Sequence, residues 1–186
     1  MENKYPIDLN GKTYQLSEKV IGELIKKRMK KSKVIVSAFQ KYGLPMDILD
    51  QLKVTICPLG GEKKYAETDG EIMRLSEEIF RKGNFYSDFF FVPIHEIFHF
   101  VNRNCEKNGM KIKERESEDF SNFLDDPEEV EGFILSMAYE IESHGDLDLL
   151  YNRIYPRLEF HFSSPIYARD CFKKMLEEAI KIYKNC

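Results

Sequence analysis

Near the middle of the chain two histidines stand four residues apart, with a glutamate immediately after the first: His95-Glu96-Ile97-Phe98-His99. On an α-helix, positions i and i+4 lie one turn apart on the same face, so both imidazoles can reach a single metal ion. Glu96 projects about 100° further round the turn. Its carboxylate then falls beside the ion, where a reacting water would sit. This is the HExxH arrangement, two nitrogen ligands for zinc and a general base for hydrolysis. The neighbours Phe90, Phe91, Ile94, Ile97, Phe98 and Val101 are apolar, and polar groups set into such a run need partners or a metal to offset their burial. A di-iron carboxylate bundle would require a second Glu-x-x-His. The sequence has none: Glu140 precedes His144 by four positions and Glu159 precedes His161 by two.

Catalytic zinc usually has three protein ligands and one open position. The expected donor of the third is the segment Asp125–Ile141. Asp126 as N-cap, Pro127 at the first helical position and Glu129 at the third make a strong helix start. Glu128 and Glu129, in the first turn, are assigned to the helix dipole. Glu131 borders the apolar face formed by Val130, Phe133, Ile134, Met137 and Ile141, next to the small Ala138, and is the leading candidate. Glu140 and His144 are the alternatives. An oxyanion formed during hydrolysis would need one more donor, for which His161, His144, Tyr139 and Tyr155 are candidates.

Several other elements must position these groups. Ile7 to Leu16 reads as a hairpin around Asn10-Gly11. A helical pattern starts after Ser17 and extends as far as Gly43, with Lys26 to Lys33 forming a solvated basic face. Lys53 to Cys57 reads as a strand. Two short β-like runs flank the turn Asp69-Gly70. The motif helix, capped by Ser87 or Asp88 with Pro93 in its first turn, is expected to end near Asn108-Gly109. Lys111 to Glu118 is charged and expected to be exposed. Gly145 should end the Asp126 helix. Leu147 to Tyr155 suggests a short helix, Leu158 to Phe162 an extended segment, and Ser164-Pro165 the start of a last amphipathic helix reaching about Tyr183.

At 186 residues and 42% hydrophobic, the chain fits one domain with a sizeable core: residues 1–52 an N-terminal hairpin and helices, 53–145 the catalytic core, 146–186 C-terminal helices. A net charge of −4 argues against a general nucleic-acid or membrane-surface binder. Cys57, Cys105, Cys171 and Cys186 form no CxxC pair and read as reduced thiols. The N-terminus lacks an apolar signal region and no stretch has the length of a membrane span. The expected location is therefore cytoplasmic.

The order Tyr65-Ala66-Glu67-Thr68-Asp69-Gly70, then His95-Glu96-x-x-His99, then Glu131-Gly132-Phe133 resembles the gluzincin zinc metallopeptidases, most of all the minigluzincins and the ImmA/IrrE-type peptidases. The resemblance covers about residues 53–142. It implies zinc held by His95, His99 and Glu131, with Glu96 as base and a peptide or protein as substrate. It also implies that the strand near Ile72–Leu75 is the edge strand that pairs with an extended substrate. Phe98 stands where the family often has glycine, and Leu135 where it often has a polar residue. The fold expected is α+β: a small zincin-like domain, with a short mixed or antiparallel sheet packed on the motif helix and further helices. The function expected is zinc-dependent peptide hydrolysis of narrow specificity. The alternative is a metal-binding regulatory or structural module that does not hydrolyse.

Overall fold

In the computed structural model, which describes residues 3–9, 11–60, 64–110, 126–162 and 164–186, the hydrophobic pattern is realised as an α+β arrangement. Strands β1 (Lys4–Leu9) and β2 (Lys12–Ser17) pair as an antiparallel hairpin. At its turn Gly11 takes φ 76°, and its N–H is accepted by the Asp8 carboxylate. Asn10 lies outside the described residues, as does the charged stretch Lys111–Glu118. The expected long helix is two helices, α1 (Glu18–Met29) and α2 (Lys33–Lys41). Ser32 interrupts it by capping α2, its side chain accepting from the Ile35 N–H. Nor is the basic face fully solvated. Lys26 is buried beside Glu23, and Arg28 turns inward to donate to the Tyr139 hydroxyl at 2.6 Å.

After a 3-10 turn at Met46–Gln51, β3 (Lys53–Cys57), β4 (Ala66–Asp69) and β5 (Ile72–Ser76) form a second sheet in the order β3-β5-β4. β5 runs parallel to β3 and antiparallel to β4. The segment Ile72–Leu75 is therefore the central strand, not the edge. A chain that turns at Gly70 to form a hairpin and then docks its second arm on β3 leaves the first arm, β4, outermost. A short helix α3 (Glu78–Arg81) and a π-helical turn (Phe85–Phe89) lead into the motif helix. Asn84 caps that turn by accepting from the Tyr86 and Ser87 N–H groups, in place of the expected Ser87 or Asp88 cap.

The motif helix α4 (Phe91–Lys107) packs most extensively against α5 (Pro127–His144). α5 begins as its sequence dictates, with Asp126 accepting from the Glu128 N–H, and ends at Gly145, whose φ is 65°. α6 is longer than the pattern suggests. It runs Leu147–Phe160 straight through Pro156, so Leu158–Phe160 is helical rather than extended. Burial of Ile154, Tyr155 and Leu158 on one side holds this helix on α5 and α7 (Pro165–Lys184) despite the hydrogen bond that proline removes. Among the described residues no helix is long and apolar enough to cross a membrane, and all four cysteines are free thiols.

The inner face of α4, with Ile94, Ile97 and Phe100 fully buried, anchors the motif in the core. Ile97→Ala should cost about 2–5 kcal/mol by cavity formation. Chemical denaturation of the purified variant checks this, and the expected signature is a lower midpoint at unchanged slope.

Candidate metal centre

Three side chains from two helices meet at one point. Nε2 of His95 lies 3.1 Å from Oε2 of Glu129, and Nε2 of His99 lies 3.4 Å from its Oε1. One donor atom from each of His95, His99 and Glu129 falls within 4.8 Å of the others, a separation one metal ion could bridge. The other ring nitrogen of His99, Nδ1, is 3.0 Å from Oε2 of Glu128, and Asn102 donates its amide to the same carboxylate. Such a carboxylate behind a ligating histidine fixes the ring's tautomer and orientation and raises its basicity.

The acidic third member is Glu129, and the leading candidate Glu131 is not part of the cluster. The reason is angular. Two residues along a helix is a rotation of about 200°, so when Glu129 faces α4 Glu131 faces away from it. Glu131 lines a separate hollow with Ser37, Ala38, Lys41 and Leu135. The face of α5 turned to α4 carries Glu129, Gly132, Phe133 and Ser136, spaced at three and four. Gly132 is what allows contact. A Cβ there would stand 2.8–3.0 Å from three atoms of the His95 ring. Phe133 meets the same ring edge-on at 4.8 Å between centroids, and the Ser136 hydroxyl donates to the Phe91 carbonyl at 3.0 Å. The signal in the sequence was this stripe, with its glycine three residues after a glutamate. It was masked because a first-turn glutamate also suits the helix dipole.

The remaining candidates separate. Glu96 is 8% exposed and lines a cavity of about 730 Å³ together with His95, Glu129, Phe133 and His161. Among the described residues no hydrogen bond or ion pair ties up its carboxylate. Tyr139 is elsewhere, buried against Phe90 and hydrogen-bonded to Arg28. Glu140 pairs with Arg153 at 2.7 Å, and His144 lies 3.8 Å from the same carboxylate, so neither reaches the cluster. Tyr155 donates to Glu159 and stacks on Tyr151. Arg153, Arg157 and Asn152, which no motif in the sequence singles out, line the same cavity from α6.

No family model, characterised protein or solved structure matches this chain. The chemistry therefore rests on the residues themselves. Burial opposes a charge on His99, but its contacts with Glu129 and Glu128, and the nearby Glu96, outweigh burial and raise its pKa to about 9. Glu129 shows the converse: burial would raise its pKa, yet hydrogen bonds from His95 and His99 hold it far below the usual carboxylate range. The donor set fits a divalent ion: two imidazoles, one carboxylate held ionised, and a glycine-lined approach with no room for a side chain.

Two outcomes follow. Without metal, the stability supplied by protonated His99 is complete below the unfolded value of about 6.5 and is lost as pH rises through about 9. That supplied by ionised Glu129 is present above about 4.5 and is lost only in strong acid. Metal-free protein should thus be most stable between about pH 4.5 and 6.5. Its zinc affinity, which requires His99 to lose its proton, should rise up to about tenfold per pH unit until about pH 9; denaturation and competitive zinc titrations across pH check both. Second, Gly132→Ala should weaken zinc binding by at least about tenfold through displacement of His95, with far-ultraviolet circular dichroism unchanged.

Proposed function

We propose that this chain is a zinc-dependent metallopeptidase, with His95, His99 and Glu129 holding the metal and Glu96 as general base. The observation that carries the reading is the convergence of those three side chains beside a cavity that His95 and Glu129 line and that also receives Glu96, a buried carboxylate with no hydrogen bond or ion pair among the described residues. Zinc bound there would supply an acidified water and a polarised scissile carbonyl. Glu96 takes the water's proton and delivers it to the leaving amine. A carboxylate free of hydrogen bonds to the other described residues suits that role, because none of these must be broken before it accepts the proton. His161 faces the cavity, its ring 5.9 Å from Phe133 between centroids, and would donate to the developing oxyanion. Glu128 and Asn102 hold His99 in one tautomer throughout.

The substrate is an extended peptide. Lys64, Tyr65 and Ala66, at the start of edge strand β4, line the cavity, and an edge strand offers unpaired backbone groups to an incoming chain. The location proposed is cytoplasmic, with narrow specificity and no nucleic-acid partner. A non-hydrolysing metal-binding module is the second reading, since the ligand set alone would serve it. Glu96 favours the first, because a scaffold has no use for a base beside the metal.

Metal analysis and peptide turnover of five proteins test the proposal. Wild type should carry one zinc per chain, His95→Ala and Glu129→Ala should lose it, and Glu131→Ala should keep it. Glu96→Gln should keep zinc while turnover falls by about a thousandfold or more. Zinc retained with full turnover in Glu96→Gln would refute the catalytic assignment, and wild type that takes up no zinc would refute the metal centre.

A further inference from the structure

The cavity that His95 and Glu129 line is also lined by two arginines one helical turn apart in α6, and they are differently placed. Arg153 is neutralised, its guanidinium lying 2.7 Å from Glu140 and 3.7 Å from Asp88. Arg157 has no acidic partner among the described residues. It is surrounded instead by aromatic faces, its Cζ standing 4.0 Å from the ring centre of Tyr65, 4.7 Å from Phe91 and 5.7 Å from Phe89. Burial lowers its pKa to about 10, a sign of how much water it has lost.

A partly buried cation with no counter-ion among the described residues loses hydration, and cation–π contacts offset only part of that loss. Rings stacked on a guanidinium cover its faces, but its five N–H donors lie in the plane and need acceptors. No hydrogen bond from Arg157 to the described residues supplies them. Its nitrogens are not sealed off either. Among the described residues the sole enclosed side-chain polar atom without a partner is Thr68 Oγ1, so the Arg157 donors are not enclosed, and the residue lines the cavity. A planar fork packed among aromatic rings and without an anion among the described residues is suited to a bidentate carboxylate.

We propose that Arg157 is a specificity residue that receives a carboxylate of the peptide bound in this cavity. The carboxylate is either the peptide's C-terminus or an Asp or Glu side chain. This rests on the peptidase reading for the identity of the ligand, but the contact itself needs neither metal nor turnover. Arg157 thus selects substrate without taking part in proton transfer, and Tyr65, Phe89 and Phe91 hold its fork in place.

The test uses full-length Glu96→Gln protein, in which bound peptide persists. Three octapeptide pools carrying a neutral BODIPY label at the N-terminus are compared by anisotropy: one with a free C-terminus and no Asp or Glu, one amidated with no Asp or Glu, and one amidated with a central Asp or Glu. Either carboxylate-bearing pool should bind about 10- to 100-fold more tightly than the pool lacking any, the range expected of a charge-assisted bidentate contact. The better of the two identifies the source. Adding Arg157→Gln should abolish the preference, and adding Arg157→Lys should restore it in part. Zinc content equal to that of wild type shows that these variants fold. Equal binding of all pools, no binding of any, or a preference that survives Arg157→Gln overturns the proposal. The peptidase reading fails separately, by absence of zinc or by turnover that does not depend on Glu96.

Discussion

The site depends on how closely α4 and α5 approach, and that approach depends on the hydrogen at Gly132. His95 leaves α4 toward α5, and its ring lies where any side chain at position 132 would be. Glycine in mid-helix costs about 1 kcal/mol relative to alanine, so its position here needs a packing reason, and the ring supplies one. With the backbones this near, Glu129 one turn earlier on α5 reaches both histidines, and Ser136 one turn later ties α5 to the Phe91 carbonyl. The geometry of these three side chains is thus set by helix packing, in a pair of elements packed as extensively as any in the fold. A metal site built on two packed helices loses little entropy when it fills.

Electrostatics adds a second constraint. Glu96, Glu128 and Glu129 surround two imidazoles, and their summed field demands positive charge. In the absence of a metal the demand falls on protons, which is why His99 holds one into the alkaline range. A divalent cation would satisfy the same field without a proton and would leave the histidine nitrogens free as ligands. Proton and metal are therefore alternative occupants of one charge deficit. Glu128 plays the same part in both states, because His99 Nδ1–H can donate to it whether Nε2 carries a proton or faces a metal.

Much of this was legible in the sequence. The HExxH spacing, the Asp126-Pro127 helix start, the Gly145 stop and the Asp69-Gly70 turn are local signals, each decided within about one turn of chain. What was missed required knowing which face of one element meets another. Glu129 and Glu131 both satisfy local rules. Only the rotation of α5 against α4 distinguishes them, and the clue to that rotation was Gly132, read simply as the residue after a glutamate. The edge position of β4 was hidden for a related reason. The hairpin at Gly70 is local, but which of its arms docks on β3 is settled by a pairing across more than a dozen residues. Arg28 likewise sits in a run of lysines that reads as solvated, and its inward turn depends on three aromatic rings from distant parts of the chain.

The longest-range failure concerns Pro156, and it bears most on function. Proline ordinarily ends a helix, so the pattern suggested a stop near Tyr155 with an extended segment beyond it. Helix α6 continues instead, since buried Ile154, Tyr155 and Leu158 hold both sides of the proline against the core. The consequence is a single stripe along α6, from Asn152 and Arg153 through Pro156 and Arg157 to Phe160 and His161, all lining the cavity together with His95 and Glu129. Had the chain become extended after Tyr155, side chains would alternate between two faces, and Arg157 and His161 would lose the helical spacing that sets them on one wall. The missing Pro156 N–H also removes the hydrogen bond that would fall on the Asn152 carbonyl. The helix that this proline conceals in the sequence is thus the one that sets Arg157 on the cavity wall.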